Sequence, residues 1–310
     1  MESKVIVIVG PTCSGKTKLS LLLAEKLKTE IISADSRQIY KYLNIGTAKP
    51  TYTELQNIKH YFIDVLEPDE IYNSNRFEND ALKVIENLTA QNKLPMVAGG
   101  SGLYLKALID GIFNSVDTDD EYREKLLQTK KESGIESLYA ELQKVDPESA
   151  SAMLPQNWKR VIRALEVYHL TGKTIGVLQK EYNRNSNIKF VQYGLRWKRE
   201  TLYSNIEDRV DEMITSGLVE ETKELLKKGY DKNLNSLNTV GYKEIISYLD
   251  NQISLNRAVE LIKRNTRHFA KRQLTWFRAD DRIVWFDLES QKDLEKIAEA
   301  IFRREVLNER

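Results

Sequence analysis

Eight consecutive residues, Gly10, Pro11, Thr12, Cys13, Ser14, Gly15, Lys16 and Thr17, satisfy the pattern G-x-x-x-x-G-K-[ST]. That spacing serves phosphate chemistry. Glycines let the backbone wrap closely, so that its N–H groups turn inward onto phosphate oxygens. Lys16 then gives a point charge to the terminal phosphates, and the Thr17 hydroxyl is placed to ligate Mg²⁺. Taken alone, the loop is a nucleotide- or ATP-binding signature that does not say which polyphosphate it holds. Cys13 reads as an uninvolved loop residue.

Asp35 is a second candidate. It stands just past Ile31-Ile32-Ser33-Ala34, a short apolar strand. At the ligand-binding edge of a parallel sheet, such a carboxylate either handles an incoming nucleophile or caps a turn. An ordinary nucleotide hydrolase also needs an apolar strand ending in a metal-binding Asp. The best strand, 94–98, runs into Gly99-Gly100-Ser101-Gly102 instead, and Asp64 is not a compelling substitute. These glycines read either as room for a bulky substrate or as a plain strand-to-helix turn.

The third feature is basic. Arg257, Lys263, Arg264, Arg267, Lys271, Arg272 and Arg278 stand against a single acid, Glu260. On a helix, Lys263, Arg264, Arg267, Lys271 and Arg278 fall within an arc of about 100°. Ile262, Phe269 and Trp276 lie opposite, as an apolar anchor. The stripe reads as a phosphate-backbone contact surface in preference to a solvated charged face. A membrane-surface reading is weaker, because the apolar side is sized for a core.

The elements that position these residues alternate. The β-branched run Val5 to Val9 predicts a strand buried on both faces. From Thr17 a helix follows, with Leu19, Leu22, Leu23 and Leu27 on one face. Further strands are expected at Ile31-Ile32, Tyr61 to Val65 and Pro95 to Ala98, with a helix from Phe77 to Asn92. After about Ser115 the texture changes. Asp117 to Tyr182 predicts successive helices, including an Asp146-Pro147 start and an amphipathic stretch from Asn157 to Thr171 that stops at Gly172. Strands return at Phe190 to Trp197 and Ile283 to Phe286. The expected fold is α/β, a P-loop-type parallel sheet core flanked by helices with an all-helical insertion domain. The core would span residues 1–115 and 188–310, the insertion 116–187.

Composition sets the bounds. Of 310 residues, 41% are apolar and 30% charged, a core-forming balance. Lys+Arg total 47 and Asp+Glu 46, so only local charge can attract nucleic acid. One cysteine excludes an intramolecular disulfide and a cysteine-based zinc site, and His60, His169 and His268 are scattered. No apolar run reaches the ~18–20 residues of a membrane helix, and Val5–Val9 is shorter than the ~7–15 of a signal peptide. A cytoplasmic protein with no membrane partner is expected.

Together the pieces resemble the bacterial tRNA dimethylallyltransferase family, also called tRNA isopentenyltransferase. The matching stretches are GPTCSGKT, ADSRQIYKYLNIGTAKP from Ala34 to Pro50, GGSGLY from Gly99, RALEVY from Arg163, TVGYKEI from Thr239 and AKRQLTWFR from Ala270. The resemblance runs from the loop to about Phe286. It implies attack by the N6 amine of the adenosine just 3′ of the tRNA anticodon on dimethylallyl diphosphate, with diphosphate and Mg²⁺ at the loop. That would account for the missing metal-binding Asp.

By the resemblance, Asp35 is the general base and Arg209 meets the diphosphate. Ser101 orients the adenine, at a position where the family usually has Thr. The implied tRNA contacts are Asp35, Ser36, Arg37, Gln38, Ser101 and Arg123, then Lys159, Arg160, Val161, Ile162 and Arg163. They continue with Asn238, Thr239, Val240, Gly241, Tyr242 and Lys243, and end with Lys271, Arg272, Gln273, Leu274, Thr275, Trp276, Phe277 and Arg278. Lys159 departs from the family's usual Gln-Arg there. The implied partner is an anticodon stem-loop, gripped by a monomer. An adenylate isopentenyltransferase acting on a free nucleotide is the nearest rival, but it would need neither the insertion nor the basic helix. A P-loop kinase of a small metabolite would consume ATP. A non-catalytic RNA-binding protein would not need Lys16, Thr17 and Asp35 intact.

Overall fold

The computed structural model describes residues 3–111, 118–181 and 187–307. The β-branched run becomes β1 (Ser3–Val9), in which Val5 through Val9 are fully buried. Side chains alternate between the faces of a strand. Val5, Val7 and Val9 therefore join one apolar cluster, and Ile6 and Ile8 join another.

The order continues α1 (Lys16–Leu27), β2 (Ile31–Ala34), α2 (Tyr52–Asn57), β3 (His60–Tyr61), α3 (Ser74–Ala90), β4 (Met96–Gly99) and α4 (Gly102–Asp110). Next come α5 (Asp120–Val145), α6 (Pro147–Ser151), α7 (Trp158–Thr171) and α8 (Ile175–Glu181). The chain ends with β5 (Ile188–Trp197), α9 (Arg199–Thr215), α10 (Leu218–Lys227), α11 (Tyr242–Leu249), α12 (Leu255–Arg278), β6 (Ile283–Leu288) and α13 (Asp293–Val306).

The six strands form one parallel sheet in the order β3-β2-β4-β1-β5-β6. Chain order reverses across β1, and ligands of open α/β sheets sit outside the carboxyl ends of strands at such a point. Register makes this concrete. Val9 pairs with Gly99, and Gly99 with Ala34, so the residues after β1, β4 and β2 leave the sheet side by side.

The third strand is shorter than the expected Tyr61 to Val65. Phe62 and Asp64 adopt left-handed backbone, with φ of 65° and 54°, which ends the ladder. The next residues pair instead with the segment after β2, through Asp64 N–H to Gln38 O, Val65 N–H to Ile39 O and a bridge from Tyr40 to Leu66.

The chain divides into two compact units, Met1–Ile109 with Asn187–Arg310, and Asp110–Ser186. The second unit holds α5 to α8 and no strand among its described residues. Gly134, at φ 78°, breaks α5, Asp146 caps α6 by accepting the Ser149 N–H at 3.0 Å, and left-handed Gly172 ends α7. Its core gathers Leu126, Leu138, Leu142, Val161 and Leu165. The expected boundary at 115–116 lies outside the described residues. Among the described residues, no helix is long and apolar enough to cross a membrane.

Candidate active site

The phosphate loop leaves β1 at Gly10, passes left-handed Cys13 (φ 60°) and Gly15 (φ 91°), and enters α1 at Lys16. A side chain at Gly10 would put its Cβ 2.9 Å from Ser14 Oγ, so only glycine lets the loop close. Trp197 Nε1 donates to Ser14 O at 3.1 Å and ties the loop to β5. The first N–H groups of α1 have no partner along the helix and face the crevice end. Lys16 Nζ donates to Pro11 O at 2.6 Å. Burial brings Lys16 down to about 8, with Asp35 opposing that shift and Arg209 adding to it.

Two side chains meet at the loop from elsewhere. Arg209, on α9, donates from Nη1 to Thr12 Oγ1 at 2.9 Å and to Cys13 Sγ at 3.4 Å. Cys13 is thus in contact with a site residue, contrary to the expectation of no involvement. Asp35 does both things its position allows. Its Oδ1 accepts the Arg37 N–H at 2.9 Å and the Gln38 N–H at 3.3 Å, capping the turn. Its Oδ2 has no hydrogen-bond partner among the described residues, and the side chain lines the crevice.

The segment after Asp35 is held from outside. Glu221 on α10 accepts the N–H groups of Asn44 (3.1 Å), Ile45 (3.0 Å) and Gly46 (3.3 Å), and the Tyr242 hydroxyl at 2.6 Å. Lys49 Nζ is buried among Tyr40 O, Asn44 Oδ1 and Asp64 Oδ1. Although Lys49 borders the crevice, its three donors are already used. Gln38 is likewise turned inward, donating to Thr47 O and Ala48 O and accepting from Ser33 Oγ. Arg37 reaches Asn235 O at 2.7 Å. Ser101 Oγ accepts the Ser36 N–H at 2.9 Å.

The glycines after β4 admit the protein itself. A Cβ on Gly99 would lie 2.2 Å from Ala34 O, one on Gly100 2.4 Å from Gln273 Nε2, and one on Gly102 2.4 Å from Trp276 Nε1. Close approach is required there, by β2 and α12.

Two adjoining cavities result. One, of about 410 Å³, wraps the phosphate loop with Lys16, Thr17, Asn205 and Glu212. The other, of about 320 Å³, is walled by Ser36, Arg37, Ser101, Asn238, Thr239, Val240, Lys243 and Arg272, with Ile206, Val210, Met213 and Ile262 as its apolar side. Thr12, Asp35, Thr47, Gly100, Arg209, Phe269 and Gln273 line both.

The basic helix differs from its sequence image. Its buried stripe is Ala258, Ile262, Ala270, Gln273 and Phe277, whereas Phe269 and Trp276 are about 40% exposed. They are not the expected anchor, because α12 turns them toward the cavities and Gly102. Lys263 pairs with Asp211 and Arg267 with Glu207, each at 2.7 Å, because α9 lies alongside. Lys271, Arg272 and Arg278 are exposed and make no ion pair among the described residues.

Several of the residues expected at the RNA are buried within the chain itself. Val161, Ile162, Tyr242, Phe277 and Gln273 are buried, Gly241 lies beneath the chain surface, and Leu274 is half-buried against the core. In the second unit, Arg123 and Arg163 both grip the fully buried Glu166, which fixes two guanidiniums while leaving them part-exposed. Lys159 and Arg160 are exposed, Lys159 over the Trp158 ring. The clasp of Gln273 and the roles of Glu221 and Lys49 were not expected from sequence. The one signal was a polar residue on the apolar stripe of α12.

Residues 38–280 match the IPP transferase family model. The chain is 47% identical, over 97% of its length and 96% of the relative's, to a tRNA dimethylallyltransferase of Pelotomaculum thermopropionicum. It is 45% identical to that of Thermotoga maritima, over 92% of each. Among solved structures it resembles the tRNA isopentenylpyrophosphate transferase of Bacillus halodurans, with 38% identity, TM-score 0.71, and 97% and 96% of the two chains covered. It also resembles a eukaryotic dimethylallyltransferase acting on tRNA, with 30% identity, TM-score 0.82, and 99% of this chain and 80% of that one covered.

Proposed function

The chain belongs to the IPP transferase family, and on that premise we propose that it transfers a dimethylallyl group from dimethylallyl diphosphate to N6 of the adenosine 3′-adjacent to the tRNA anticodon. The observation that carries this reading is the shared wall of the two cavities. Asp35 and Arg209 line both, with Lys16 on the loop side and Ser101 on the other. A diphosphate donor and a flipped-out base entering from the two sides would meet at that wall.

The chemistry assigns each group a part. An adenine N6 amine is a weak nucleophile, because its lone pair is delocalised into the ring. As the bond from N6 to the allylic carbon forms, Asp35 Oδ2 takes the departing proton. The carbon–oxygen bond to diphosphate breaks, and its electron pair leaves with the diphosphate. Lys16, the N–H groups at the start of α1 and Arg209 stabilise that growing charge. Ile206, Val210, Met213 and Ile262 give the prenyl group an apolar wall.

Mg²⁺ fits this site. Thr17 offers a hard hydroxyl oxygen beside Lys16, and no cluster of three metal-ligating side chains exists among the described residues. An ion that keeps several waters and binds chiefly to phosphate oxygens suits so sparse a donor set. When bound, it neutralises diphosphate charge. Lys271, Arg272 and Arg278, which make no ion pair among the described residues, supply cations for RNA phosphates. The reading takes the protein as a monomer, and a tRNA substrate supports a cytoplasmic location.

The test is a nucleoside digest of an anticodon stem-loop incubated with dimethylallyl diphosphate and the protein. N6-dimethylallyladenosine supports the reading, and an unmodified digest opposes it.

A further inference from the structure

Gln273 sits on α12, within the segment whose neighbours Lys271 and Arg272 face outward, yet it is 7% exposed. Its Oε1 accepts the Thr12 N–H at 2.8 Å, and its Nε2 donates to Gly100 O at 2.9 Å. One amide thus clasps the loop after β1 to the loop after β4. Thr12 extends the chain of bonds, because its hydroxyl accepts Arg209 Nη1 at 2.9 Å.

A glutamine on an apolar stripe is costly unless both ends of its amide are satisfied. Here both are, by backbone groups of the two loops that define the crevice. Gly100 makes room for this amide, since a Cβ there would lie 2.4 Å from Gln273 Nε2. The clasp also consumes the Thr12 N–H, so that this donor is withdrawn from phosphate binding. What remains of Thr12 at the site is a hydroxyl whose position is fixed by Gln273 and whose lone pair orients Arg209.

We infer that Gln273 is a positioning residue, which sets Thr12 and, through the Thr12 hydroxyl, the guanidinium of Arg209 against the leaving diphosphate. This rests on the reading of Arg209 given above. Gln273 lines both cavities, but both ends of its amide are held by backbone groups of the two loops. Its effect passes through Thr12, and it is therefore felt only while Arg209 is present.

A double-mutant cycle on the full chain tests this. Gln273→Met keeps length and removes both hydrogen bonds. Thr12→Val keeps the N–H for Gln273 but cuts the hydroxyl link to Arg209. Each is made alone and combined with Arg209→Met, and single-turnover rates are measured at saturating tRNA and dimethylallyl diphosphate. KM for tRNA and the dissociation constant of inorganic diphosphate are measured beside them.

A misplaced group costs up to about 100-fold in rate, and we expect each single variant to lose roughly 10- to 100-fold. Diphosphate binding weakens, while KM for tRNA stays within about twofold. In the Arg209→Met background, a second substitution adds less than about threefold, because residues acting as a unit are not additive. Equal loss in both backgrounds, or a wild-type rate for Thr12→Val, overturns the inference alone. A wild-type rate for Arg209→Met overturns both the inference and the reading of Arg209.

Discussion

Arg267 Nη1 donates to Glu207 Oε1 at 2.7 Å, so that part of the basic stripe on α12 is neutralised by the protein before any partner arrives. Among the described residues, Arg264, Lys271, Arg272 and Arg278 make no ion pair. Removing one cation from a phosphate should lower the magnitude of the log–log salt slope of binding by about 1. Lys271→Ala and Arg272→Ala should each show that change, and Arg267→Ala much less. A salt series of tRNA dissociation constants checks this, and an Arg267→Ala slope change as large as that of Lys271→Ala would contradict it.

Lys16 stands lower than an ordinary lysine, near 8, chiefly through burial. Its charged form meets diphosphate, so diphosphate affinity should be full below pH 8 and fall as pH rises through it. Stability runs the other way. Between about 8 and the ordinary lysine value the unfolded chain binds more protons than the folded one, so this group makes the fold more stable as pH rises there. Calorimetric titration of inorganic diphosphate from pH 7 to 9.5 reads the first effect. Lys16→Ala should remove the part of the pH dependence that this group contributes and cost on the order of 2.7–4 kcal/mol of transition-state stabilisation, with tRNA affinity nearly intact.

Asp35 holds its own turn through Oδ1 and presents Oδ2 to the crevice. Asn at this position can still accept the Arg37 and Gln38 N–H groups, so the turn survives while proton acceptance is lost. Asp35→Asn should lose about 10²–10⁴-fold in single-turnover rate and change tRNA affinity little. A variant that mainly weakens binding would remove Asp35 from the chemistry.

Much of this was legible in the residues. Val5–Val9, the phosphate loop and Asp35 appear where strand periodicity and motif spacing put them, and the family was readable from the motifs between Gly10 and Arg278. What was not legible depends on which element lies beside which. The partners of Lys263 and Arg267 are acids on α9, distant in sequence, and a count of charge on α12 alone cannot show them. Gln273 resembled its exposed neighbours because a helix stripe is defined by the face that packs, and the run of cations masked the face shared with Ala270 and Phe277. Gly99, Gly100 and Gly102 announced a close approach, but only the fold shows that β2 and α12 make it. The shortened β3 follows from left-handed Phe62 and Asp64, a conformation that neither residue type signals.

Glu221 holds three backbone N–H groups and the Tyr242 hydroxyl. Burial pushes the Tyr242 phenol well above its ordinary value, so its proton stays in that bond. Glu221→Ala would orphan these donors and should destabilise the protein by about 1–3 kcal/mol, against about 0.5–1.5 for Tyr242→Phe. Urea midpoints order the two variants, and a Glu221→Ala midpoint equal to wild type would mean that the loop does not depend on this anchor.

If the shared wall joins a prenyl diphosphate to an adenosine in tRNA, prenyl carbons must end on the RNA. Dimethylallyl diphosphate labelled in those carbons is supplied to the protein with bulk tRNA, free AMP or ATP alone, and both transferred label and released diphosphate are counted. We expect label in tRNA, one diphosphate released for each group transferred, very poor transfer to AMP, and no need for ATP. Transfer to AMP as efficient as to tRNA, or phosphate release that requires ATP and leaves the tRNA unlabelled, would contradict this reading of the wall.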